Sequence, residues 1–528
     1  MQIQWQAGGE MMKLNKNQQK AVTTIDKNVS VNAGAGSGKT KVLVERYIYL
    51  LENGEFQEGK EVESIVAITF TKKASQEMKG RIRQAIRDKF SKGEKWKRLY
   101  RDIERANIST IHSFCSRLIR ENPIEAKVDP AFKIFEEYEA DNILHEVTKD
   151  YFIHRIEFDE NMFESIKSLN LYDLDTLIEN VISVYKKVRS TGISFSKVKE
   201  MTLNNIDNAE IQKEVIDAIK ENFTILIEKA RKGSKFAKLK DDPRWLEFLN
   251  CEEYKDDVFD TLVYLNQNIG TMKGEEERIN YLPDLIKRSL KAKEKERRNI
   301  YLSLLDSLIE IDNEFQCRKN KLGCLDYEDL QIKVLELLQN KSIREKYQNK
   351  FKYIMIDEFQ DTNELQKKIV YKLCSKDSKL DRENLFVVGD PKQSIYAFRG
   401  ADIDVFYDVM NDMEEVSKFS PIILDENYRS LNTVLEFINS LFEKLMGSKY
   451  DSLSPSPNNI SNNKVDVEIL EKEDLEIPED ISKGDYSKIY ESRLVAKRIK
   501  SLVQEENYSY GDIVLLFRSS TDDYLYEE

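Results

Sequence analysis

Short runs of consecutive apolar residues alternate along this chain with longer stretches in which apolar residues recur at helical spacing. A strand-like run with alternating polar residues, NVSVNA at 28–33, leads into a glycine-rich segment that a helical pattern follows, and an apolar run lies at residues 64–70. Short apolar runs flanked in this way are typical of buried parallel strands. The order strand, glycine loop, helix, strand therefore predicts an α/β fold with a parallel sheet.

Helical periodicity and charge dominate the long region from about residue 113 to residue 320. Buried-strand patterns then return at residues 353–357, 385–390 and 421–426, each between helical segments. Because helical crossovers join the strands of a parallel sheet, this pattern predicts a sheet that an all-helical insertion interrupts and that the later strands complete.

The last part of the chain has a different composition. Ser, Asn, Pro and Asp are frequent at residues 451–486, which predicts a surface connection around one strand-like run, KVDVEIL, at 464–470. A helix is predicted at 491–503 and a strand at 512–517. Few residues follow that strand, so we expect a second α/β unit that stops early.

Composition bounds the class of protein. The chain has 528 residues, a length that exceeds what a single hydrophobic core supports, so about two to four domains are predicted. Its residues are 40% apolar and 34% charged. No stretch approaches the roughly 18 apolar residues of a membrane span, and the N-terminus lacks the features of a signal peptide, so we expect a cytoplasmic protein. The five cysteines form no C-x-x-C pair, which predicts buried reduced thiols rather than a metal site.

The distribution of charge matters more than its sum. The net charge of −13 argues against a polyanionic partner, but residues 72–105 hold thirteen Lys or Arg against five Asp or Glu. Two interpretations stay open. The segment contacts an anionic partner, or it forms a solvated helix face, which is the commoner case for mixed-charge helices.

The segment AGAGSGKT, at residues 33–40, has the pattern of a phosphate-binding loop between a strand and a helix. Glycines let backbone N–H groups approach phosphate oxygens, while a lysine reaches the β- and γ-phosphates and a hydroxyl ligates Mg²⁺. The first position of the usual pattern is Ala33 rather than glycine. We predict a site for Mg²⁺ and a nucleoside triphosphate formed by Ala33, Gly34, Ala35, Gly36, Ser37, Gly38, Lys39 and Thr40, with Thr40 as a metal ligand.

The segment YIMIDEFQDT places two carboxylates directly after a buried strand. Asp357 is predicted to hold the Mg²⁺ shell, and Glu358 to orient or deprotonate the attacking water, a role that hydrolysis requires. Without the phosphate loop, the better interpretation would be an exposed acidic strand end.

A third strand end carries VVGDPKQSIYAFRGAD. Gln393 is predicted to sense a γ-phosphate, and Tyr396, Phe398 and Arg399 to stack on single-stranded nucleic acid. An aromatic pair in a loop is more often local packing, and that alternative stays open.

Seven segments of the chain carry a family resemblance. In chain order they are LNKNQQKAV, AGAGSGKT, AITFTKKASQEMKGRI, STIHSFCSRLI, IMIDEFQDTN, VVGDPKQSIYAFRGAD and LDENYRS. Together they resemble the Q motif and motifs I, Ia, Ib, II, III and IV of the UvrD/Rep superfamily 1 DNA helicases. The forms IHSFC and GDPKQSIYAFRGAD look more like the RecB/AddA branch, the helicase subunits of helicase–nuclease complexes in recombinational repair.

The resemblance implies a domain organisation. A RecA-like ATPase domain, 1A, is expected at residues 11–112 and 315–420, with a helical insertion, 1B, at 113–314. Residues 421–528 would form part of a second RecA-like domain, 2A. Residues before 11 are interpreted as an incidental leader.

The resemblance also implies roles for single residues. Gln18 would contact the adenine of ATP, Tyr428 would stack on it, and Arg429 would reach the γ-phosphate from the second domain as an arginine finger. The residues expected along a single-stranded DNA path are Phe70, Thr71, His112, Tyr396, Phe398 and Arg399.

The implied function is an ATP- and Mg²⁺-dependent motor that moves 3′ to 5′ on single-stranded DNA and at single/double-strand junctions in repair. The implied partner is a second subunit of a helicase–nuclease complex. Domain 2B, motifs V and VI and a nuclease domain are not recognised in the sequence, so we expect the N-terminal part of a longer protein.

The same residues raise two other possible functions. The alternative is an incomplete motor, a module that binds ATP and DNA, turns over slowly alone and needs its missing portion. An unrelated P-loop kinase or GTPase is disfavoured by the carboxylate pair Asp357 and Glu358 and by the aromatic loop.

Overall fold

The computed structural model describes residues 14–158, 173–207, 213–251, 256–290, 298–376, 379–397, 400–447, 450–462, 467, 483–517 and 524–527. The chain divides into two compact units, Met1–Arg429 and Ser430–Glu528.

The first unit is built on a parallel sheet. In chain order its strands are β1 (Val29–Ala33), β2 (Ile65–Thr69), β3 (Asn107–Thr110), β4 (Lys133–Ile134), β5 (Cys324–Leu325), β6 (Tyr353–Ile356), β7 (Leu385–Gly389), β8 (Ile422–Leu424) and β9 (Glu426–Asn427). Six of them form one sheet in the order β3-β2-β6-β7-β1-β8, and every neighbouring pair is parallel. The α/β fold with a parallel sheet is thereby confirmed.

Helices surround this sheet and form the insertion. Those of the first unit are α1 (Lys16–Thr23), α2 (Lys39–Asn53), α3 (Glu61–Ser64), α4 (Lys72–Arg87), α5 (Glu94–Asp102), α6 (Ile111–Glu121), α7 (Glu137–Phe158), α8 (Leu174–Thr191), α9 (Phe195–Asp207), α10 (Lys213–Glu228), α11 (Lys235–Leu239), α12 (Pro243–Asn250), α13 (Asp256–Gln267), α14 (Glu276–Leu290), α15 (Arg298–Leu322), α16 (Tyr327–Leu337), α17 (Lys341–Lys350), α18 (Glu364–Cys374) and α19 (Ile403–Ser417).

Helices cover both faces of the sheet, which explains the continuous apolar runs of β2 and β7. In β2, Ile65 and Ala67 join one hydrophobic core with α1 to α5, while Val66 and Ile68 join a second core with α6 and α16 to α19. Successive residues of a strand point to opposite faces, so an uninterrupted apolar run supplies both cores.

The helical region has cores of its own. Phe152 and Tyr185 lie in a core shared by α7, α8, α9 and α15, and Phe223 and Trp245 lie in a second one shared by α10 to α14. Helix α6 packs instead in the core of the sheet through Phe114 and Leu118, so the independently packed helices begin after residue 121 rather than at 113.

The strand β8 lies at the predicted start of the second domain. It pairs with β1, placing Ile422 opposite Val31, and therefore belongs to the sheet of the first unit. The division at Arg429 consequently falls after the predicted start of the second domain at residue 421. The assignment of domains 1A, 1B and 2A stays a prediction.

The second unit contains α20 (Asn432–Met446), β10 (Ser454–Pro455), α21 (Lys483–Glu505) and α22 (Tyr524–Glu527). The helix predicted at 491–503 lies inside α21, but the strand predicted at 512–517 is wrong. Residues 513–517 form no strand, and Val514 and Leu516 are 77% and 93% exposed. An apolar run becomes a strand only beside a strand that accepts its hydrogen bonds, and none lies along it in the described part of this unit. The run at 464–470 lies outside the described residues apart from 467.

Two predictions from composition can be compared with the structure. Among the described residues, no helix has the length and apolar character needed to cross a bilayer, and no group of His, Cys, Asp or Glu is arranged to hold a metal ion. The five cysteines form no disulfide bond, and Cys317 is exposed and Cys251 only half-buried, so the expectation that all are buried is wrong.

Candidate nucleotide site and adjoining groove

The phosphate loop connects β1 to α2, as its sequence predicts. Gly36 and Gly38 have φ angles of +72° and +83°, in the left-handed region that favours glycine. Gly38 is the N-cap residue of α2 and supplies no side-chain cap. The first N–H groups of a helix have no partner within it, so the loop presents uncapped donors and the positive end of the helix dipole.

Neighbouring residues approach the loop too closely for larger side chains. A Cβ atom on Gly36 would lie 2.7 Å from Nδ2 of Asn427 and 2.9 Å from Cβ of Arg429, and one on Gly38 would lie 3.1 Å from Nε2 of Gln18. Ala33, the departure from the usual pattern, is the last residue of β1 and lies in a hydrophobic core, where its methyl group is accommodated.

One side of the loop is formed by residues distant in sequence. Gln18 is 2% exposed and donates from Nε2 to the carbonyl of Ser37 at 2.9 Å. Tyr428 donates its backbone N–H to the carbonyl of Gly36 at 2.9 Å, and its hydroxyl accepts from Nδ2 of Asn15 at 3.0 Å. Burial and the hydrogen bond to Glu426 raise the pKa of Tyr428 to about 12, so its ring is neutral. The structure thus brings Gln18 and Tyr428 to the loop.

The backbone of Arg429 is anchored to the same loop. Its N–H donates to Oδ1 of Asn427 at 2.8 Å, and Nδ2 of Asn427 donates to the carbonyl of Ala35 at 2.7 Å. The exposed side chain of Arg429 therefore begins beside the loop through contacts inside the first unit.

The opposite side of the loop meets the carboxylates that follow β6. Nζ of Lys39 lies 2.7 Å from Oε2 of Glu358, and Asp357 accepts from the backbone N–H of Glu358 at 3.0 Å. Glu358 has a φ angle of +50°, an uncommon conformation for this residue type. Burial, reinforced by the negative charge of Glu358, raises the pKa of Asp357 to about 7.

These residues fit a magnesium-bound triphosphate. Oγ of Ser37 is buried and has no hydrogen-bond partner within the described residues, while Gly36 and Gly38 leave a cradle that a Cβ would fill. Thr40, in the first turn of α2, and Asp357 supply the oxygen ligands that Mg²⁺ prefers. A cation nearby would favour the ionised form of Asp357.

Gln393 lies on the turn that follows β7, next to this site. Its Nε2 donates to Oδ2 of Asp390 at 2.7 Å, and Asp390 is 2% exposed. Sequence reasoning missed the residue that joins this turn to the carboxylates, Gln360, although it lies inside the segment DEFQDT. It also missed Asn15, Glu426, Asn427 and Asp390.

A groove of about 1210 Å³ adjoins the same carboxylates. Its walls come from the carboxyl ends of β2, β3 and β6, from α6, α8 and α16, and from the loop after β7. Two aromatic pairs line it: Phe70 and Tyr396, with ring centres 4.6 Å apart, and His112 and Tyr327, with ring centres 4.5 Å apart.

The predicted DNA-path residues are distributed unevenly. Thr71 lines the groove with Phe70, His112 and Tyr396, and its side chain caps α4. Phe398 and Arg399 lie outside the described residues. Tyr327, in the segment LDYEDL, was missed because its pairing with His112 joins positions more than two hundred residues apart.

The charge lining the groove is mixed. Acidic side chains outnumber the basic ones, which are Lys72, Arg117, Arg120, Lys186 and Lys187. Burial is the first cause of raised pKa values at three of the carboxyl groups. The pKa is about 7 for Asp357 and Glu328 and about 6 for Asp361. The groove is therefore less negative near neutral pH than its composition suggests.

Much of the basic segment at 72–105 is paired with carboxylates. Nζ of Lys79 and the Arg83 guanidinium lie 2.6 Å and 2.9 Å from Glu104, and Arg81 lies 2.5 Å from Glu77. These pairs favour a solvated helix face for most of the segment. Lys72 is different, because it lines the groove.

His112 makes stability depend on pH. Burial, with a smaller effect of Lys72, lowers the pKa of His112 from 6.5 to about 4. As the pH falls, the unfolded chain takes up this proton near pH 6.5, whereas the folded chain takes it up only near pH 4. The folded state is therefore progressively destabilised as the pH falls from 6.5 toward 4. We expect His112→Asn to lose about 1–2 kcal/mol less stability between pH 7 and pH 5 than the wild type. Unfolding midpoints in urea at both pH values measure this, with His145→Asn, whose side chain is 42% exposed, as control. Equal pH dependence in His112→Asn and wild type would contradict it.

Comparison with known proteins gives a consistent picture. The family model described as the UvrD/REP helicase N-terminal domain matches residues 14–414. A Clostridium botulinum (strain Alaska E43) protein, named as one subunit of an ATP-dependent helicase/nuclease, is 28% identical over 610 residues, covering 96% of this chain and 48% of that protein. One of the same name from Alkaliphilus metalliredigens is 29% identical over 576 residues, covering 95% and 47%. The chain spans about half the length of the curated relatives it matches.

Proposed function

Because this chain belongs to the UvrD/REP helicase family, we propose that it binds Mg²⁺-ATP at the phosphate loop, hydrolyses it with Glu358, and uses the cycle to move along single-stranded DNA. The direction proposed is 3′ to 5′, and the context is DNA repair and recombination. The relatives are named as subunits of an ATP-dependent helicase/nuclease, which supports a partner protein for this chain.

One observation carries the proposal. Glu358 lines the groove and at the same time forms an ion pair with Lys39 of the phosphate loop. A single strand end therefore separates a site for triphosphate from a groove with aromatic walls. That arrangement suits a motor, in which hydrolysis on one side must alter grip on the other.

The ion pair suggests the order of events on the protein side. When Lys39 turns from Glu358 to phosphate, the carboxylate loses the cation that holds it. Glu358 is then able to orient a water molecule and accept its proton. Bound Mg²⁺ would supply charge neutralisation at the phosphates, with Thr40 and Asp357 as its ligands. The proposed role of Arg429, whose backbone N–H is held by Asn427 beside the loop, is to stabilise negative charge on the opposite side.

The grip on DNA is proposed to come from stacking on Tyr396, which pairs with Phe70 in the groove. Stacking of one base on an aromatic ring contributes about 1–3 kcal/mol, so Tyr396→Ala should weaken binding of a dT20 oligonucleotide by about five- to a hundredfold. Fluorescence anisotropy at two salt concentrations measures the dissociation constant. Tyr281→Ala is the control, because Tyr281 is 48% exposed and lies on α14 outside the groove. An unchanged constant for Tyr396→Ala would return this ring to local packing.

The alternative is a module that binds ATP and DNA without moving. One observation favours it: in the described residues of the second unit there is no parallel sheet to close over the nucleotide. A strand-displacement assay on a 3′-tailed duplex separates the two. ATP-dependent unwinding by the chain alone supports the motor, and binding of both ligands without unwinding supports the module.

A further inference from the structure

Gln360 lies on the turn that follows Glu358, and its side chain is bonded at both ends. Its Nε2 donates to Oε2 of Glu358 at 3.0 Å and to Oδ2 of Asp361 at 3.3 Å, while its Oε1 accepts from the backbone N–H of Asp390 at 3.0 Å. Gln360 is 2% exposed. One planar amide therefore bridges the end of β6 and the end of β7.

The amide has little room to move independently of its neighbours. A Cβ atom on Gly389 would lie 2.5 Å from Oε1 of Gln360, and Oγ of Ser394 donates to the carbonyl of Gln360 at 3.3 Å. The absence of a side chain at Gly389 lets the two strand ends approach this closely. Displacement of the Gln360 amide must therefore displace the turn after β7.

That turn leads to the groove within a few residues. Asp390, which accepts from Nε2 of Gln393 at 2.7 Å, also accepts from the backbone N–H of Lys392 at 3.1 Å. Tyr396 follows three residues after Gln393 and packs on Phe70 in the groove. The hydrogen bonds form a continuous path from Glu358 through Gln360 and Asp390 to the segment that carries Tyr396.

The same oxygen of Glu358 accepts from Lys39 and from Gln360. We propose that Gln360 is a positioning residue that transmits the change at Glu358, when Lys39 turns to phosphate, to the turn at 390–396 and so to the DNA groove. This inference rests on the proposed function. It concerns coupling between two sites, which neither the phosphate loop nor the groove provides alone.

Coupling is measured as a ratio of affinities. The affinity for fluorescent dT20 is determined without nucleotide and with saturating Mg²⁺-AMP-PNP. We expect a change of about 5- to 150-fold in the wild type, and by reciprocity the same factor when AMP-PNP is titrated with and without dT20. Gln360→Met removes all three side-chain hydrogen bonds and should reduce the ratio to within about twofold, while the affinity for each ligand alone changes by less than about threefold.

Two further variants separate coupling from stability. Gln348→Met is a matched control: Gln348 is also a buried glutamine, 8% exposed, and donates to the carbonyls of Lys372 and Ser375 at 2.8 Å each. It should lower the thermal midpoint and keep the wild-type ratio. Gln360→Asn keeps an amide but is one methylene too short to reach both partners, so it should lose the ratio even if Gln360→Met does not fold.

The outcomes are distinct. A wild-type ratio retained in the folded Gln360 variants overturns the inference and leaves the proposed function intact. A wild type that binds both ligands without coupling also overturns the inference, and it favours the module over the motor. A wild type that binds neither AMP-PNP nor dT20 overturns the proposed function and the inference with it. Loss of the ratio in the Gln360 variants, with the ratio intact in Gln348→Met, supports the inference.

Discussion

Glu358→Gln is expected to hydrolyse ATP about 10² to 10⁴ times more slowly than the wild type, because the amide cannot accept the proton of the attacking water. Binding of Mg²⁺-ATP should be at least as tight as in the wild type. Asp357 and Thr40 are unchanged in the variant, and Lys39 no longer has to leave an ion pair of 2.7 Å to contact phosphate.

Two measurements test this pair of expectations. Calorimetric titration gives the affinity for Mg²⁺-ATP, and single-turnover phosphate release gives the rate of hydrolysis. Glu345→Gln, which alters a carboxylate on α17 with a side chain 55% exposed, should match the wild type in both. Hydrolysis by Glu358→Gln within about fivefold of the wild type would remove Glu358 from the role of catalytic base.

Lys39→Ala should weaken binding of Mg²⁺-ATP by about ten- to a hundredfold or more. A hydrogen bond to a charged group contributes about 1.5–3 kcal/mol, and each 1.4 kcal/mol is about tenfold in affinity. The substitution also leaves Glu358 without its cation, which adds negative charge near the phosphates.

Calorimetry on the variant gives this affinity directly, and dT20 binding by the same preparation reports whether the protein is folded. Since Lys39 does not line the groove, we expect dT20 still to bind, with an affinity that loss of the ion pair to Glu358 shifts through Gln360. Unchanged affinity for Mg²⁺-ATP would place the nucleotide elsewhere in the molecule.

Five of the six strands of the large sheet, all but β3, and the phosphate loop could be predicted because each depends on residues close in sequence. The apolar run at 64–70 produces β2, and the glycines of the loop produce its left-handed turns. The order of the strands could not be predicted, since the pairing of β1 with β7 and β8 depends on packing across the whole unit.

The surroundings of the site depend on contacts between distant residues. Asn15 bonds to Glu426 and Tyr428 across more than four hundred residues, and no local pattern records that contact. A count of charges in the basic segment could not reveal that Glu104 pairs with both Lys79 and Arg83. The bridging role of Gln360 became visible only when the ends of β6 and β7 were found side by side.

The central claim is that this chain holds an ATPase site at the carboxyl edge of its parallel sheet. Phosphate release from Mg²⁺-ATP, compared among the wild type, Lys39→Ala and Glu358→Gln in the presence of dT20, tests it most directly. We predict measurable release by the wild type and almost none by either variant. Equal release by all three proteins would contradict the claim, because neither the phosphate loop nor the carboxylate after β6 would then contribute to hydrolysis.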